Sequence, residues 1–317
     1  MKFRLFSLLT AAILASSTAL AQIPSGGVVT SGEAPAAPCG ATPACTSSVR
    51  SAAQVCGTVT APDGSKWAAP APVTNGPVAV DIYNDCTGQG DNPKFLEQLR
   101  TVVIDPDGVE ITGYIFADNY YELWVNGKFV ARDSIGMTPF NSTAVRFKAK
   151  YPITYAVKAV DWETHPGIGM EYDTYNVGDG GFIARFSDGT VTGPHWKVET
   201  FYIAPLDDPS CVKINNGRDS TACPAEQRQG GNKAPCGLSD PRTCKGLHFR
   251  VPGNWTAPNF DDSTWPNATV YTAEQVTGTP GYVKYADLFK PAQFIWTRNL
   301  LLDNLVLVRY TVKASPR

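Results

Sequence analysis

The sequence predicts an all-β protein, an antiparallel β-sandwich or jelly roll, from three observations. Short runs rich in β-branched and aromatic residues recur along the chain, each bounded by Asp, Asn, Gly or Pro. Asn-Gly and Asp-Gly dipeptides, which favour two-residue hairpin turns, separate several of these runs. The chain also holds 28 Gly and 25 Pro, a content that disfavours long helices. We therefore expect a sandwich domain over residues 77–315.

The first residues have the features of a secretory signal peptide. Lys2 and Arg4 precede an apolar run over residues 6–14, and small residues lead up to Ala21. The run is too short to cross a membrane. We expect cleavage after residues 1–21 and a secreted protein, or one at the periplasm or cell surface if the source is bacterial. Cleavage changes the formal charge from −2 to −4, which argues against a nucleic-acid partner.

Residues 22–76 are rich in Ala, Pro, Gly, Ser and Thr and carry few large apolar side chains. Such a composition buries too little apolar surface to offset the entropy of an ordered chain. We interpret this segment as a linker or extended lead-in to the sandwich, pinned in part by its cysteines.

Turn dipeptides predict three antiparallel hairpins within the sandwich. Each lies between two β-rich runs: Asp107-Gly108, Asn126-Gly127 and Asp188-Gly189. Helical signals are confined to residues 94–99 and 285–289. The chain closes on the run LVLVRY, residues 305–310, whose first half is apolar on both faces and predicts a strand in the interior of a sandwich.

The eight cysteines predict four disulfides, as an even count does in an exported protein. They form two clusters, and we expect pairing within each cluster because short loops close easily. The second cluster lies in a long polar segment, residues 206–245, which we interpret as a disulfide-stapled insertion in the sandwich. The cysteines are Cys39, Cys45, Cys56 and Cys86 in the first cluster and Cys211, Cys223, Cys236 and Cys244 in the second.

Three Asn-x-Ser/Thr sequons occur, at Asn141, Asn254 and Asn267. They predict a glycoprotein if the source is a eukaryote.

Three stretches together resemble a known family. They are ADNYYELWVNGKFV (117–130), GNWTAPNFDDSTWPNATVY (253–271) and FIWTRNLLLDNLVLVRYTV (294–312). They resemble galactose-binding-like jelly-roll modules attached to glycoside hydrolases of the rhamnosidase or beta-galactosidase type, over about two thirds of the mature chain. The resemblance implies a jelly roll that binds sugars or glycans, in some members with a structural calcium and in many without catalysis. The Cys-rich segment and the lack of an attached catalytic domain depart from the family pattern.

The first two stretches also have a structural interpretation. Alternation sends Tyr121, Leu123 and Val125 to the core, and sends Tyr120 and Trp124 to a face that is wetter or lies under a loop. In the second stretch, the short polar residues of FDDS suit local turn and cap hydrogen bonds, with Trp255, Phe260 and Trp265 buried around the turn.

The loop over residues 159–176 follows a strand and is the richest source of sugar-binding groups, because aromatic rings stack on pyranoses while polar side chains take up hydroxyls. A loop of solvated carboxylates is the alternative. Trp196 and the pair Trp296 and Arg298 are further candidates, although a lone Trp in a β domain is more often core. The predicted ligand-binding residues are Asp161, Trp162, Glu163, His165, Tyr172, Trp196, Trp296 and Arg298.

A structural calcium site at Asp105 and Asp107 is a further hypothesis, with more oxygens available on Glu163, Glu171 and Asp173. No EF-hand pattern is present, and the three histidines are far apart in sequence, which disfavours zinc. We expect no other cofactor.

The sequence lacks a Gly-x-Ser-x-Gly elbow, a His-Glu-x-x-His motif and a phosphate-binding loop. The favoured hypothesis is a secreted, non-catalytic, lectin-like module that binds extracellular or cell-wall glycans. A structural or adhesive surface protein is the alternative. A polysaccharide-active enzyme with an acidic site is the third hypothesis, because paired carboxylates cannot be recognised from spacing alone.

Overall fold

The structure, a computed structural model, describes residues 22–39, 55–86, 88–136, 141–171, 175–224, 236, 240–276 and 280–314. The strands of the first half are β1 (Val28–Ser31), β2 (Ala37–Pro38), β3 (Val55–Thr60), β4 (Lys66–Ala69), β5 (Val80–Asn84), β6 (Gly90–Asp91), β7 (Thr101–Val103), β8 (Val109–Asp118), β9 (Tyr120–Val125), β10 (Lys128–Arg132), β11 (Asn141–Ala149) and β12 (Ile153–Val160). Those of the second half are β13 (Met170–Glu171), β14 (Asn176–Val177), β15 (Gly181–Phe186), β16 (Lys197–Leu206), β17 (Lys213–Ile214), β18 (Arg218–Asp219), β19 (Lys245–His248), β20 (Thr269–Tyr271), β21 (Phe294–Trp296) and β22 (Asp303–Val312).

The helices in these ranges are single turns: α1 (Phe95–Gln98), α2 (Ala273–Val276), α3 (Pro280–Val283) and α4 (Ala286–Phe289). Two 3₁₀ turns, Pro209–Cys211 and Pro241–Thr243, border the Cys-rich segment. The two helical signals of the sequence, at residues 94–99 and 285–289, coincide with α1 and α4.

Two large sheets pack face to face, which confirms the all-β sandwich. The first has the strand order β1-β19-β16-β22-β12-β9-β10, and the second has the order β20-β21-β15-β8-β11-β5-β6. All pairings within these orders are antiparallel, and β7 adds to β11 in parallel. The core between the sheets includes Leu123, Val157 and Val308 from the first sheet and Ile115 and Phe147 from the second.

The closing strand β22 lies in the middle of the first sheet, between β16 and β12. It is buried from Asp303 to Arg309 because the sandwich core covers one of its faces and a second apolar layer covers the other. The prediction of an interior strand is therefore confirmed.

Two of the three predicted hairpin turns form. Asn126 and Gly127 join β9 to β10. Their φ values of 49° and 76° are positive, as a two-residue turn of this type requires. After β15, the Phe186 N–H donates to the Thr190 carbonyl at 2.8 Å, which closes the turn at Gly189.

The third predicted hairpin, at Asp107-Gly108, is wrong. The strands on its two sides do not pair with each other, because β11 lies between them and binds β7 on one edge and β8 on the other. Gly108 serves a close approach instead. A Cβ placed there would lie 2.3 Å from the Ala149 carbonyl carbon, so only glycine fits at this crossing.

The described parts of the lead-in, residues 22–39 and 55–76, are more ordered than their composition predicts. Strand β1 forms the edge of the first sheet through its pairing with β19, and β2, β3 and β4 form a small sheet of their own. Backbone hydrogen bonds to an existing sheet edge need no large side chains, which is why the composition gave no signal. The interpretation of residues 22–76 as a linker is corrected to this extent.

The lead-in also covers the outer face of β9. Glu122 is fully buried there, where it pairs with Lys158 at 2.8 Å and accepts a hydrogen bond of 2.7 Å from the Thr74 N–H. Lys158 also donates to the Pro72 carbonyl. Tyr120 is buried as well, while Trp124 is half-buried against Trp255. The outer face of the hairpin is thus a second core layer under a loop.

The stretch that contains FDDS holds the outer face of the first sheet through Arg309. This guanidinium is buried and donates to the Asp262 carboxylate at 2.9 Å and to the carbonyls of Trp255 and Ala257. Asp261 accepts from the N–H and the side chain of Ser263 in its own turn. The motif is therefore a structural clamp around one buried cation.

The described disulfides pair within the two clusters, as expected: Cys39–Cys56, Cys211–Cys223 and Cys236–Cys244. Cys86 is also disulfide-bonded, and Cys45 lies outside the described residues. Such bonds persist in oxidising compartments and indicate a protein that matures outside the cytosol. The predicted signal peptide also lies outside the described residues.

The sequons differ in their accessibility. Asn254 and Asn267 are exposed, whereas Asn141 is 2% exposed and donates from Nδ2 to Asp133 Oδ1 at 2.6 Å. A glycan on Asn141 is incompatible with this packing. The glycosylation prediction therefore narrows to the other two sites.

We predict that Asp262→Ala destabilises the protein by about 2 kcal/mol, because it leaves the buried Arg309 charge without its carboxylate while the carbonyl contacts remain. Urea unfolding followed by tryptophan fluorescence measures this loss. Asp261→Ala is the matched control and should cost clearly less. Equal losses for the two variants would contradict the clamp.

Candidate functional site

One end of the sandwich gathers the ends of several strands. The register pairs Val160 with both Tyr120 and Leu305, and it pairs Gly181 with Asp118. Four parts of the two sheets therefore meet here: the end of β12, the start of β9, the start of β22, and the junction of β8 with β15. We call this region, residues 118–119, 161–171, 175–180 and 296–304, the polar end.

Asp161 lies at the centre of the polar end and is 2% exposed. Its backbone N–H donates to the Asn304 carbonyl at 3.0 Å, and its Oδ1 atom has no hydrogen-bond partner among the described residues. Burial raises the pKa of Asp161 well above its ordinary value, and the nearby carboxylates raise it further. These carboxylates belong to Glu171, Asp179, Asp118 and Glu163.

Glu163 lies beside Asp161 and is 1% exposed. Its Oε2 accepts from the Gly167 N–H at 2.8 Å and its Oε1 accepts from Asn304 Nδ2 at 3.2 Å. Burial raises the pKa of Glu163 to about 7, although these hydrogen bonds act to lower it. A buried carboxyl with this pKa carries a proton through the acidic range.

The backbone fits tightly around these acids. Asn119 accepts from the Trp162 N–H through Oδ1 and donates to Asp118 Oδ1 at 2.9 Å. Gly178 packs directly against Asp161, because a Cβ at this position would lie 2.7 Å from Oδ2. The loop after β12 is thereby folded inward onto its own carboxyl groups.

Asp303, the first residue of β22, forms a second buried acidic centre. It accepts from the hydroxyls of Thr297 and Ser220, the latter at 2.8 Å. Burial raises the pKa of Asp303 to about 7. Nearby, Arg298 is only half-buried and donates to Asp219 Oδ2 at 2.9 Å and to the Asn215 carbonyl at 2.8 Å.

The surface of the polar end carries an aromatic and ionisable group. The His165 ring stacks on Tyr175 with 4.2 Å between ring centroids, and its Nδ1 lies 2.8 Å from Glu33 Oε1. Tyr175 and Glu33 are partly exposed. These side chains reach solvent, in contrast to the carboxyl groups below them.

The predicted tryptophan platforms are core residues, because Trp162, Trp196 and Trp296 are all fully buried. Trp162 packs on Tyr120, and Trp296 donates from Nε1 to the Asp303 carbonyl at 3.0 Å. In this fold none of the three offers a ring face to a saccharide. Their prediction as ligand contacts is corrected, since a large ring on a strand end of a sandwich gains more from burial than from exposure.

Six of the eight predicted ligand residues meet at the polar end: Asp161, Trp162, Glu163, His165, Trp296 and Arg298. Only His165 and Arg298 among them are not fully buried. Trp196 lies toward the other end of the sandwich, stacked on Tyr310 at 5.3 Å. Tyr172 lies outside the described residues.

Asp105 and Asp107 do not fit a calcium site. Asp105 accepts from the Lys150 N–H at 2.9 Å, and Asp107 pairs with Lys150 Nζ at 3.1 Å, so one lysine engages both carboxylates. They lie near the start of β12, away from Glu163 and Glu171. Across the described part of the chain, no group of three or more His, Cys, Asp or Glu side chains has an arrangement that could hold a metal ion.

Sequence reasoning missed Asp118, Asp179, Asp303 and Asn304 as parts of this region. A signal was present for two of them, because Asp303 and Asn304 interrupt the apolar run LLLDNLVLV. Polar residues inside such a run indicate a strand end with buried hydrogen bonds. Asp179, between the glycines of VGDGG, gave only a turn signal.

No protein family, curated protein or solved structure was found to match this chain. The resemblance to galactose-binding-like modules therefore remains an expectation. Among the described residues, no helix is long and apolar enough to span a membrane.

The arrangement separates two chemical roles. The raised pKa values of Asp161 and Glu163 favour their protonated forms, which carry no charge in this buried interior. The partly exposed His165, Tyr175, Arg298 and Glu33 provide hydrogen-bond donors, acceptors and an aromatic ring to an approaching ligand.

We predict that the thermal unfolding midpoint falls by several degrees between pH 5 and pH 8. Burial raises the pKa of four carboxyl groups, so each binds its proton more tightly in the folded state than in the unfolded state. They are Asp161, Glu163 and Asp303, described above, and Asp133, whose pKa rises to about 8. Their stabilisation is present below the unfolded pKa of about 4 and is lost as pH rises through the folded pKa. Burial lowers the pKa of His248 to about 3 and also lowers that of His195, so these two groups act in the opposite direction. Asp81 and Glu199 add to the four carboxyl groups, because burial raises their pKa as well. Calorimetry across this range measures the balance.

We predict that Asp161→Asn raises the unfolding midpoint at pH 8 and leaves it nearly unchanged at pH 5. Asparagine resembles the protonated acid and removes its repulsion with neighbouring carboxylates. Asp107→Asn, on the surface, is the matched control and should show no such dependence on pH. A lower midpoint for Asp161→Asn at pH 8 would mean that an ionised Asp161 is bound by a cation.

Proposed function

We propose that this chain is a secreted, non-catalytic carbohydrate-binding protein whose ligand contacts lie on the surface of the polar end. The observation that carries the proposal is the group formed by His165, Tyr175 and Glu33. A stacked aromatic pair beside a carboxylate offers the combination that pyranose rings require, an apolar face with hydrogen-bonding groups at its margin.

Arg298 supports the same location. Its guanidinium is half-exposed beside Asp219, and such a pair can exchange part of its mutual hydrogen bonding for sugar hydroxyls. The buried carboxyl groups beneath hold the strand ends in place and take no part in ligand contact. The proposal requires no metal ion.

A polysaccharide-active enzyme is the second candidate, and the pKa of Glu163 favours it because a carboxyl near pKa 7 suits a general acid. The position of Glu163 argues against it. A residue that is 1% exposed does not reach a glycosidic bond at the surface. Binding is therefore the better-supported function.

We predict that a glycan array detects binding by the mature protein and that His165→Ala with Arg298→Ala weakens it at least about tenfold, the effect of one lost charge-assisted hydrogen bond or more. Titration calorimetry with the best glycan, in calcium and in EDTA, gives the affinities. The matched control is His195→Ala with Arg250→Ala, two exposed residues of the same types outside the polar end.

The absence of any glycan binding by the wild-type protein would contradict the proposal. Equal losses in the two double variants would remove the polar end as its location. Turnover of a polysaccharide that Glu163→Gln abolishes, with the fold intact by circular dichroism, would favour the enzyme instead.

A further inference from the structure

A mostly apolar cavity of about 440 Å³ opens at the lateral edge of the sandwich, where β10 faces β5 and β7. Its walls come from both sheets and include Val80, Leu99, Val102, Val130, Ala131 and Val145. Its volume is within the range of small-molecule sites, which are apolar concavities with a few polar groups. None of the residues that line it belongs to the polar end.

The cavity results from a break in strand pairing along β11. Strand β5 pairs with residues 141–144 of β11 and β7 pairs with residues 146–148, so neither register includes Val145. Before β5, the chain leaves this sheet and bonds to β10 of the other one. The Ala79 N–H donates to the Arg132 carbonyl, and the Arg132 N–H donates to the Pro77 carbonyl. A slot between the two sheets remains open at this place.

The rim of the slot is also apolar. Val78 lines the cavity and is 47% exposed, and Leu96 and Val103, at 46% and 54%, lie on α1 and β7, which contribute Gln98 and Val102 to the lining. Exposed apolar side chains gathered around an apolar cavity indicate a binding surface rather than ordinary solvent exposure. An occupant with a hydrocarbon chain would remove this surface from water.

Arg100 and Arg146 add positive charge to the lining. Arg100 is exposed, and within the described residues no carboxylate forms an ion pair with it. The contacts of Arg146 are long: 4.0 Å to Glu110, 3.4 Å to Thr112 Oγ1 and 3.4 Å to the Leu96 carbonyl. Two guanidinium groups with weak protein partners favour a carboxylate, which each can bind through paired hydrogen bonds.

We propose that this cavity binds a medium-chain alkyl carboxylate, with its hydrocarbon chain between the sheets and its carboxylate at Arg100 and Arg146. The occupant is a single amphiphilic anion, because the apolar walls exclude a sugar and the charge at the opening disfavours a cation. This site is separate from the polar end, and its test does not depend on glycan binding.

Titration calorimetry with decanoate on the mature protein tests the proposal, with decyltrimethylammonium as the probe of opposite charge. We expect decanoate to bind and the cation to bind at least about tenfold more weakly. Arg100→Gln with Arg146→Gln should lower the affinity for decanoate at least about tenfold. Arg250→Gln, an exposed arginine outside the cavity, is the matched control and should leave the affinity unchanged.

Ala131→Leu fills the slot from β10 without changing charge and should abolish decanoate binding. Circular dichroism and the thermal midpoint verify its fold, and the arginine variants test the site independently if it misfolds. Absence of decanoate binding to the wild-type protein would overturn the proposal. Equal binding of the two probes, or binding that a folded Ala131→Leu variant retains, would also overturn it.

Discussion

The polar end can pack as it does only if the carboxyl groups that the two sheets bury lose their charge. Asp161 and Glu163 come directly after the fully buried strand β12. Asp118, the last residue of β8, and Asn304, the second residue of β22, lie against them. Ionised groups at this density in a low-dielectric interior would repel one another strongly. The groups described around Asp161 are themselves carboxyl groups. We therefore expect protonation, rather than an ion pair, to remove the charge of Asp161.

The rest of the fold makes this burial possible. The central strand β22 is covered by the sandwich core on one face and by the lead-in and the clamp around Arg309 on the other. Two buried ions on the outer face of the first sheet have partners of opposite charge: Glu122 pairs with Lys158, and Arg309 pairs with Asp262. The polar end differs, because Glu163 accepts hydrogen bonds from the Gly167 N–H and the Asn304 side chain rather than pairing with a cation. That difference makes stability there sensitive to pH, while the ion pairs anchor the outer layer.

Local signals predicted the fold class and most of its elements, because alternation, turn dipeptides and cysteine clustering act over short distances. Asn126-Gly127 predicted its hairpin, and the run at residues 305–310 predicted the central strand. Asp107-Gly108 failed because a third strand, β11, intervenes between its neighbours, and strand order is a long-range property. The ordered lead-in was missed for a similar reason, since β1 depends on a sheet edge more than 200 residues away. For the site, proximity of strand ends brought six predicted residues together, but the sequence did not distinguish a buried Trp296 from an exposed ring.

Carbon-13 NMR of the side-chain carboxyl groups measures the pKa values of Asp161 and Glu163 directly. The variants Asp161→Asn and Glu163→Gln assign the two resonances. We expect Glu163 to titrate near pH 7 and Asp161 to titrate well above its ordinary pKa. Chemical shifts of ionised carboxylates for both residues at pH 5 and above would contradict this expectation. In that case a bound cation, rather than protons, would have to neutralise the polar end.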